Sequence, residues 1–80
     1  MKTVYEYIQF DLVVKDDNKK TDIYAVRNIR SGMILGYVAW HCGWRQYCYG
    51  PMIEEETIYS EGCLKDIAEF IKQLMDDRKK

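Results

Sequence analysis

Asp22-Ile-Tyr-Ala-Val-Arg-Asn-Ile-Arg-Ser-Gly-Met-Ile-Leu-Gly-Tyr-Val-Ala-Trp40 is the stretch that decides the fold. Two runs rich in β-branched and aromatic residues flank Ser31-Gly32, and glycine supplies the positive φ that a tight hairpin turn needs. With Ser31 and Gly32 as the two turn residues, Arg30 pairs with Met33, Ala25 lies opposite Val38, and Ile23 lies opposite Trp40. One face then carries Ile23, Ala25, Ile29, Ile34, Val38 and Trp40, interrupted by Arg27 opposite Gly36. The other carries Tyr24, Val26, Asn28, Leu35, Tyr37 and Ala39, the mixture of a partly wet surface. A one-residue slip exchanges the two faces, so the whole assignment hangs on the turn.

Upstream, residues 4–14 alternate. Ile8, Phe10, Leu12 and Val14 fall on one face, and Tyr5, Tyr7, Gln9 and Asp11 fall on the other, the period of a half-buried strand. The polar run Lys15-Asp16-Asp17-Asn18-Lys19-Lys20 reads as a solvated turn. Downstream, Cys42-Gly43 marks a second turn and residues 45–49 a short fourth strand ended by Gly50-Pro51. A brief extended piece, Thr57-Ile58-Tyr59, leads to Ser60-Glu61. Serine there caps free backbone N–H groups and Glu61 complements the positive end of a helix dipole. Leu64, Ile67, Ala68, Ile71, Leu74 and Met75 recur at three- and four-residue steps and predict one apolar stripe. Asp76-Asp77-Arg78-Lys79-Lys80 is expected to fray. The expected fold is α+β: residues 1–80 as one domain, an antiparallel sheet of about four strands, and one C-terminal helix on one face.

Size and charge narrow the function. An 80-residue chain holds one modest core and has little room for a deep substrate pocket. A formal net charge of -1 argues against gripping nucleic acid through overall charge. Glu6 and Asp11 interrupt any apolar run long enough for a signal peptide or a membrane span, so the expected location is the cytoplasm, with no membrane partner. There, an odd set of three cysteines reads as free thiols, Cys48 and Cys63 serving as small buried hydrophobes.

The richest segment is residues 40–51, Trp-His-Cys-Gly-Trp-Arg-Gln-Tyr-Cys-Tyr-Gly-Pro. His41, Cys42, Cys48 and Cys63 lack the paired spacing of a structural zinc site, and the adjacent His41 and Cys42 point to opposite sides of a strand. No metal and no cofactor is expected. A Cys–His nucleophile pair fails on the same adjacency, so the chain reads as non-enzymatic. Glu54-Glu55-Glu56 reads as a solvated loop rather than a cation site.

One helix cannot cover both faces of a sheet, which leaves an open face rich in tyrosine. Tyrosine and arginine are enriched at interface hot spots. Tyr37, Trp44, Arg45, Tyr47 and Tyr49 are the expected contact residues, and Trp40 is expected in the core. A protein partner or self-association, including a dimer, is the leading expectation. The alternative is single-stranded nucleic acid, because Arg27, Arg30, Arg45, Lys19 and Lys20 intermix with aromatic rings that bases could stack on.

The residues from Asp22 to Leu74 carry a resemblance. With Tyr24-Ala-Val-Arg-Asn, Ser31-Gly32, Leu35-Gly36, Trp40, Trp44-Arg45-Gln46-Tyr47-Cys48, Pro51, Tyr59-Ser60, Cys63-Leu64 and Asp66-Ile67-Ala68-Glu69-Phe70, the chain resembles small uncharacterised proteins of phages, prophages and other mobile elements. The resemblance covers about two thirds of the chain and leaves the N-terminal strand outside. It implies no catalytic residues. It implies a compact accessory protein that binds a host or phage protein, with blocking of a defence or regulatory complex as one form of action.

Overall fold

The computed structural model describes residues 1–14, 22–52 and 58–78. Four strands, β1 (Ile8–Val14), β2 (Ile23–Asn28), β3 (Ile34–His41) and β4 (Gln46–Pro51), form one antiparallel meander in the order β1-β2-β3-β4, followed by the helix α1 (Glu61–Arg78). This is the expected α+β architecture. The polar turn at residues 15–20, the Glu54-Glu55-Glu56 run, Thr57 and the final Lys79-Lys80 lie outside the described residues.

The central hairpin corrects the expected register. Its loop has four residues, 29–32, not two. Asn28 Oδ1 accepts the N–H groups of Arg30 (2.9 Å) and Ser31 (3.1 Å), Gly32 N–H reaches Asn28 C=O (2.8 Å), and Asn28 N–H bonds Met33 C=O (2.9 Å). Asparagine makes its own turn in this way, and Gly32, at φ 75°, takes the left-handed position. Arg27 then pairs with Ile34, but Val26 pairs with Gly36, leaving Leu35 as the extra residue of a bulge. Tyr24 is therefore opposite Val38 and Ala25 opposite Tyr37. Relative to the expectation this is a one-residue slip, so β2 turns over: Tyr24 and Val26 join the core cluster, and Ile23 and Ala25 turn to the open side, where the small Ala25 is still buried. Leu35 joins the core and Ile34 is exposed. Val38 and Trp40 keep the covered side expected of them, and Tyr37 and Ala39 the open one.

At the N-terminus the strand begins at Ile8. Residues 1–7 double back along the free edge of β1, where Tyr5 N–H donates to Ile8 C=O (2.9 Å) and Phe10 N–H to Thr3 C=O (2.8 Å). That return covers an edge that would otherwise present unpaired backbone groups. It also moves Tyr5 off the wet face, so that its ring packs edge-on against Phe10 and Phe70 at 5.5 and 6.3 Å. Ile8 and Phe10 are buried as the alternation requires, but Leu12, beside the irregularity between Leu12 and Val14, is exposed. The other edge strand, β4, carries Pro51, which has no N–H to offer a further strand. Its Tyr47 N–H points to Met75 Sδ at 3.4 Å, so α1 shields that edge.

Ser60 caps α1. Its hydroxyl accepts the Cys63 N–H (3.3 Å), and its carbonyl accepts that of Leu64 (3.1 Å). The buried stripe is Cys63, Asp66, Ile67, Phe70 and Leu74, rotated from the expected one, and Leu64 and Ala68 face water. Phe70 is the centre of the molecule. It stacks on Phe10 at 3.9 Å with planes 8° apart and meets Tyr24 edge-on at 5.0 Å. Buried Asp66 accepts the Tyr7 N–H at 2.8 Å, which explains a carboxylate on the packed side of the helix.

Candidate functional site

The five expected contact residues fall in three places. Tyr47 and Tyr49 share the helix-covered side of β4, opposite Trp40 and Val38. Tyr47 is only 6% exposed and packs edge-on against Trp40 at 5.4 Å. Burial raises its hydroxyl pKa above the ordinary 10.0, although the nearby Arg78 guanidinium works the other way. Tyr49 is half-buried and donates its hydroxyl hydrogen to Tyr59, which in turn donates to Leu35 C=O (3.5 Å). Burial, reinforced by that bond to Tyr59, raises the Tyr49 pKa strongly. This hydroxyl chain ties the segment before α1 to the sheet. Gly36 makes room for it, since a Cβ there would collide with the Tyr49 hydroxyl and the Gly50 carbonyl.

Tyr37 stands on the open face opposite Ala25 and Gly50, and it is the one tyrosine of the four strands on that side. Its surroundings are less aromatic than the sequence predicts, because the flipped β2 sends Tyr24 to the core. Gln9 Nε2 donates to Asp11 (2.8 Å), and Asp11 forms an ion pair with Arg27 on the neighbouring strand. Both partners of that pair are partly exposed, so it contributes about 0–1 kcal/mol. Cys48, expected in the core, is half-buried on this open face.

Trp44 and Arg45 occupy the β3–β4 turn, residues 42–45, beyond the last pair His41–Gln46. Trp44 is 68% exposed, yet it is held. Its N–H is shared between His41 C=O and His41 Nδ1, each at 3.2 Å, and the imidazole lies tilted against the indole at 4.8 Å. Gly43 lets the ring fold in, because a Cβ there would come within 3.1 Å of the His41 ring. Arg45 adopts φ 54°, a left-handed conformation that costs a non-glycine residue about 1–2 kcal/mol. The turn accepts that cost, and Trp44 and Arg45 follow one another at its exposed tip. Trp40, expected in the core, is half-buried with Arg78 stacked over its ring at 3.9 Å.

A second feature lies at the opposite end of the sheet. A groove of about 790 Å³ runs between the start of β1, the β2–β3 loop and the start of α1. Tyr7, Ile29 and Ile58 give it exposed apolar walls, with Glu6 and Arg30 lining it as charged groups. Ile58 is 89% exposed. Ser60 and Cys63 lie within it, the serine hydroxyl set 3.3 Å from the thiol. None of these residues stands out in the sequence as a site. The available signal was two isoleucines placed in turn-rich segments, where an apolar side chain has no strand or helix face to pack into.

Among the described residues no group of three or more His, Cys, Asp or Glu side chains could hold a metal ion, and no helix is long and apolar enough to cross a membrane. The three cysteines are separate free thiols.

The chain is 35% identical to an uncharacterized 9.3 kDa protein of Acholeplasma phage L2 over 74 residues, 92% of this chain and 91% of the relative. A span of 74 residues in an 80-residue chain includes β1, so the likeness is wider than the sequence resemblance implied. No protein-family model matches the chain, and no solved structure matches it.

Proposed function

Because this chain belongs to the family of small proteins that includes the Acholeplasma phage L2 protein, we propose that it is a non-enzymatic interaction module of a phage or mobile element. It binds a host or phage protein in the host cytoplasm, and inhibition of a defence or regulatory complex is the mode of action its origin favours. The observation that carries this reading is the Trp44–Arg45 turn: a large ring, 68% exposed, against the His41 imidazole, on a backbone whose N–H is shared between two His41 acceptors. Tryptophan and arginine are the residue types that dominate interface hot spots, and a ring fixed before contact loses little entropy on binding. Tyr37 extends the surface onto the open face. Tyr47 and Tyr49 act behind it, positioning Trp40 and the segment before α1.

The alternative is single-stranded nucleic acid, favoured by an exposed tryptophan and an arginine at consecutive positions of one turn. A stacking platform uses successive rings, however, and this turn offers a single exposed indole. Capture from a nuclease-treated host lysate separates the two. A discrete protein retained by the wild type, lost with Trp44→Ala and only modestly sensitive to salt, is the expected result. Micromolar binding to a labelled oligonucleotide that falls steeply with salt and disappears with Arg45→Glu would replace it with the alternative.

A further inference from the structure

The Trp44 turn and the apolar groove lie at opposite ends of the same strand, because the β2–β3 loop enters β3 and the β3–β4 turn leaves it. Eight residues of β3 separate them, roughly 26 Å at a strand's rise, in a molecule whose long dimension is 33 Å. One end projects a ring and the other offers an apolar recess. We propose that this chain associates head to tail: the Trp44–Arg45 turn of one molecule docks in the Tyr7–Ile29–Ile58 groove of a second copy. The inference rests on reading Trp44 as a contact residue, and it adds the occupant.

Size and charge both fit. A groove of about 790 Å³ accommodates an indole, and burying a tryptophan removes on the order of 150–250 Å² from water. Arg45, adjacent to the ring, meets Glu6 of the groove. Arg30 can cover the face of the incoming indole, the arrangement that Arg78 already makes with Trp40 at 3.9 Å within this chain. Two walls of the groove and the backbone of the turn are fixed before they meet. Ile29 N–H donates to Tyr7 C=O (3.0 Å), locking two groove walls together, and Asn28 holds the loop that carries Arg30.

Two different patches make a heterologous contact, which propagates into rings or open chains and does not stop at a dimer. The contact area is small, so association is weak, in the range of about 10 µM to 1 mM. Sedimentation of the full chain across that range tests it, with Trp44→Ala and Ile58→Glu as partners. Both substitutions lie at exposed positions, and circular dichroism confirms their fold.

The wild type is expected to grow in mass with concentration past the dimer, and each variant alone is expected to stay monomeric. An equimolar mixture of the two should form a one-to-one complex and nothing larger, since Trp44→Ala keeps an intact groove and Ile58→Glu an intact ring. Arg45→Glu should weaken wild-type association at least tenfold, and adding Glu6→Arg should restore it. A wild type that is monomeric throughout, self-association that survives Trp44→Ala, or a mixture that stays monomeric overturns the proposal. A monomeric wild type that still captures a host protein through Trp44 overturns it while leaving the protein-binding function intact.

Discussion

The two faces of the sheet use their side chains in opposite ways. The covered face gathers rings: Phe10 stacked on Phe70, Tyr24 and Tyr5 edge-on to them, Tyr47 against Trp40, and Tyr49 joined to Tyr59. The open face has one tyrosine, with Ile23, Ala25, Ala39, Cys48 and Gln9, around one ion pair. Tyrosines that look like surface residues in the sequence are therefore the material of the core, and the most exposed large apolar side chains, Trp44 and Ile58, lie beyond the ends of the strands. What separates the faces is a single extra residue. Without the bulge at Leu35, Tyr24 and Val26 would change places with Ile23 and Ala25, and the aromatic cluster around Phe70 would lose an edge.

Phe70→Ala breaks the comparison hardest. Removing the ring that Phe10, Tyr24 and Tyr5 all meet should cost about 3–5 kcal/mol, enough to unfold much of a domain this small. Denaturant titration should show it, with Tyr37→Ala on the open face as the control, expected to change stability by about 0.5 kcal/mol or less. Gly36→Ala comes next. A Cβ would strike the Gly50 backbone and the Tyr49 hydroxyl, and overpacking of this kind costs about 1–3 kcal/mol. Ser60→Ala removes the cap from Cys63 N–H and should cost about 1 kcal/mol. Both are read from the same denaturation midpoints.

The smallest effect at neutral pH is electrostatic. Burial raises the pKa of Tyr49, and also those of Tyr5, Tyr24 and Tyr47, above the ordinary 10.0. A group whose folded pKa is raised contributes its stability in full below its unfolded pKa and loses it as pH rises toward the folded value. Stability should therefore hold up to about pH 10 and fall beyond it as the unfolded chain ionises first. Tyr49→Phe should flatten that fall, measured as denaturation midpoint against pH. A slope unchanged by Tyr49→Phe would contradict the burial of that hydroxyl.

Periodicity in the sequence was sufficient for element order and fold class. The strand order, the helix and its serine cap stand where alternation, Gly32 and Ser60 indicated, although the first strand starts at Ile8 rather than residue 4. Two local details lay outside the reach of alternation. Asn28 builds a four-residue loop with its own side chain, and the Leu35 bulge follows it. Neither alters the composition of the strands, yet together they turn β2 over. In the helix, apolar residues at 63, 64, 67, 68, 70, 71, 74 and 75 fit two adjacent stripes. Asp66 argues against the true one in sequence, because a carboxylate reads as solvent-facing until the Tyr7 N–H that satisfies it is known. The turn that carries Trp44 was legible from Cys42-Gly43, whereas Arg45, expected to open the fourth strand, belongs to that turn. The groove was not legible, since Tyr7, Ile29 and Ile58 come from three segments that only the fold brings together.

Hydroxyl-radical footprinting, read residue by residue on the intact chain, measures directly which aromatics are free to make contacts. Trp44 should oxidise fastest, Tyr37 and Tyr7 at intermediate rates, and Tyr24 and Tyr47 should be protected until the chain unfolds. Tyr47 reacting as fast as Tyr37, or Trp44 as slowly as Tyr24, would contradict the division of rings between core and contact surface.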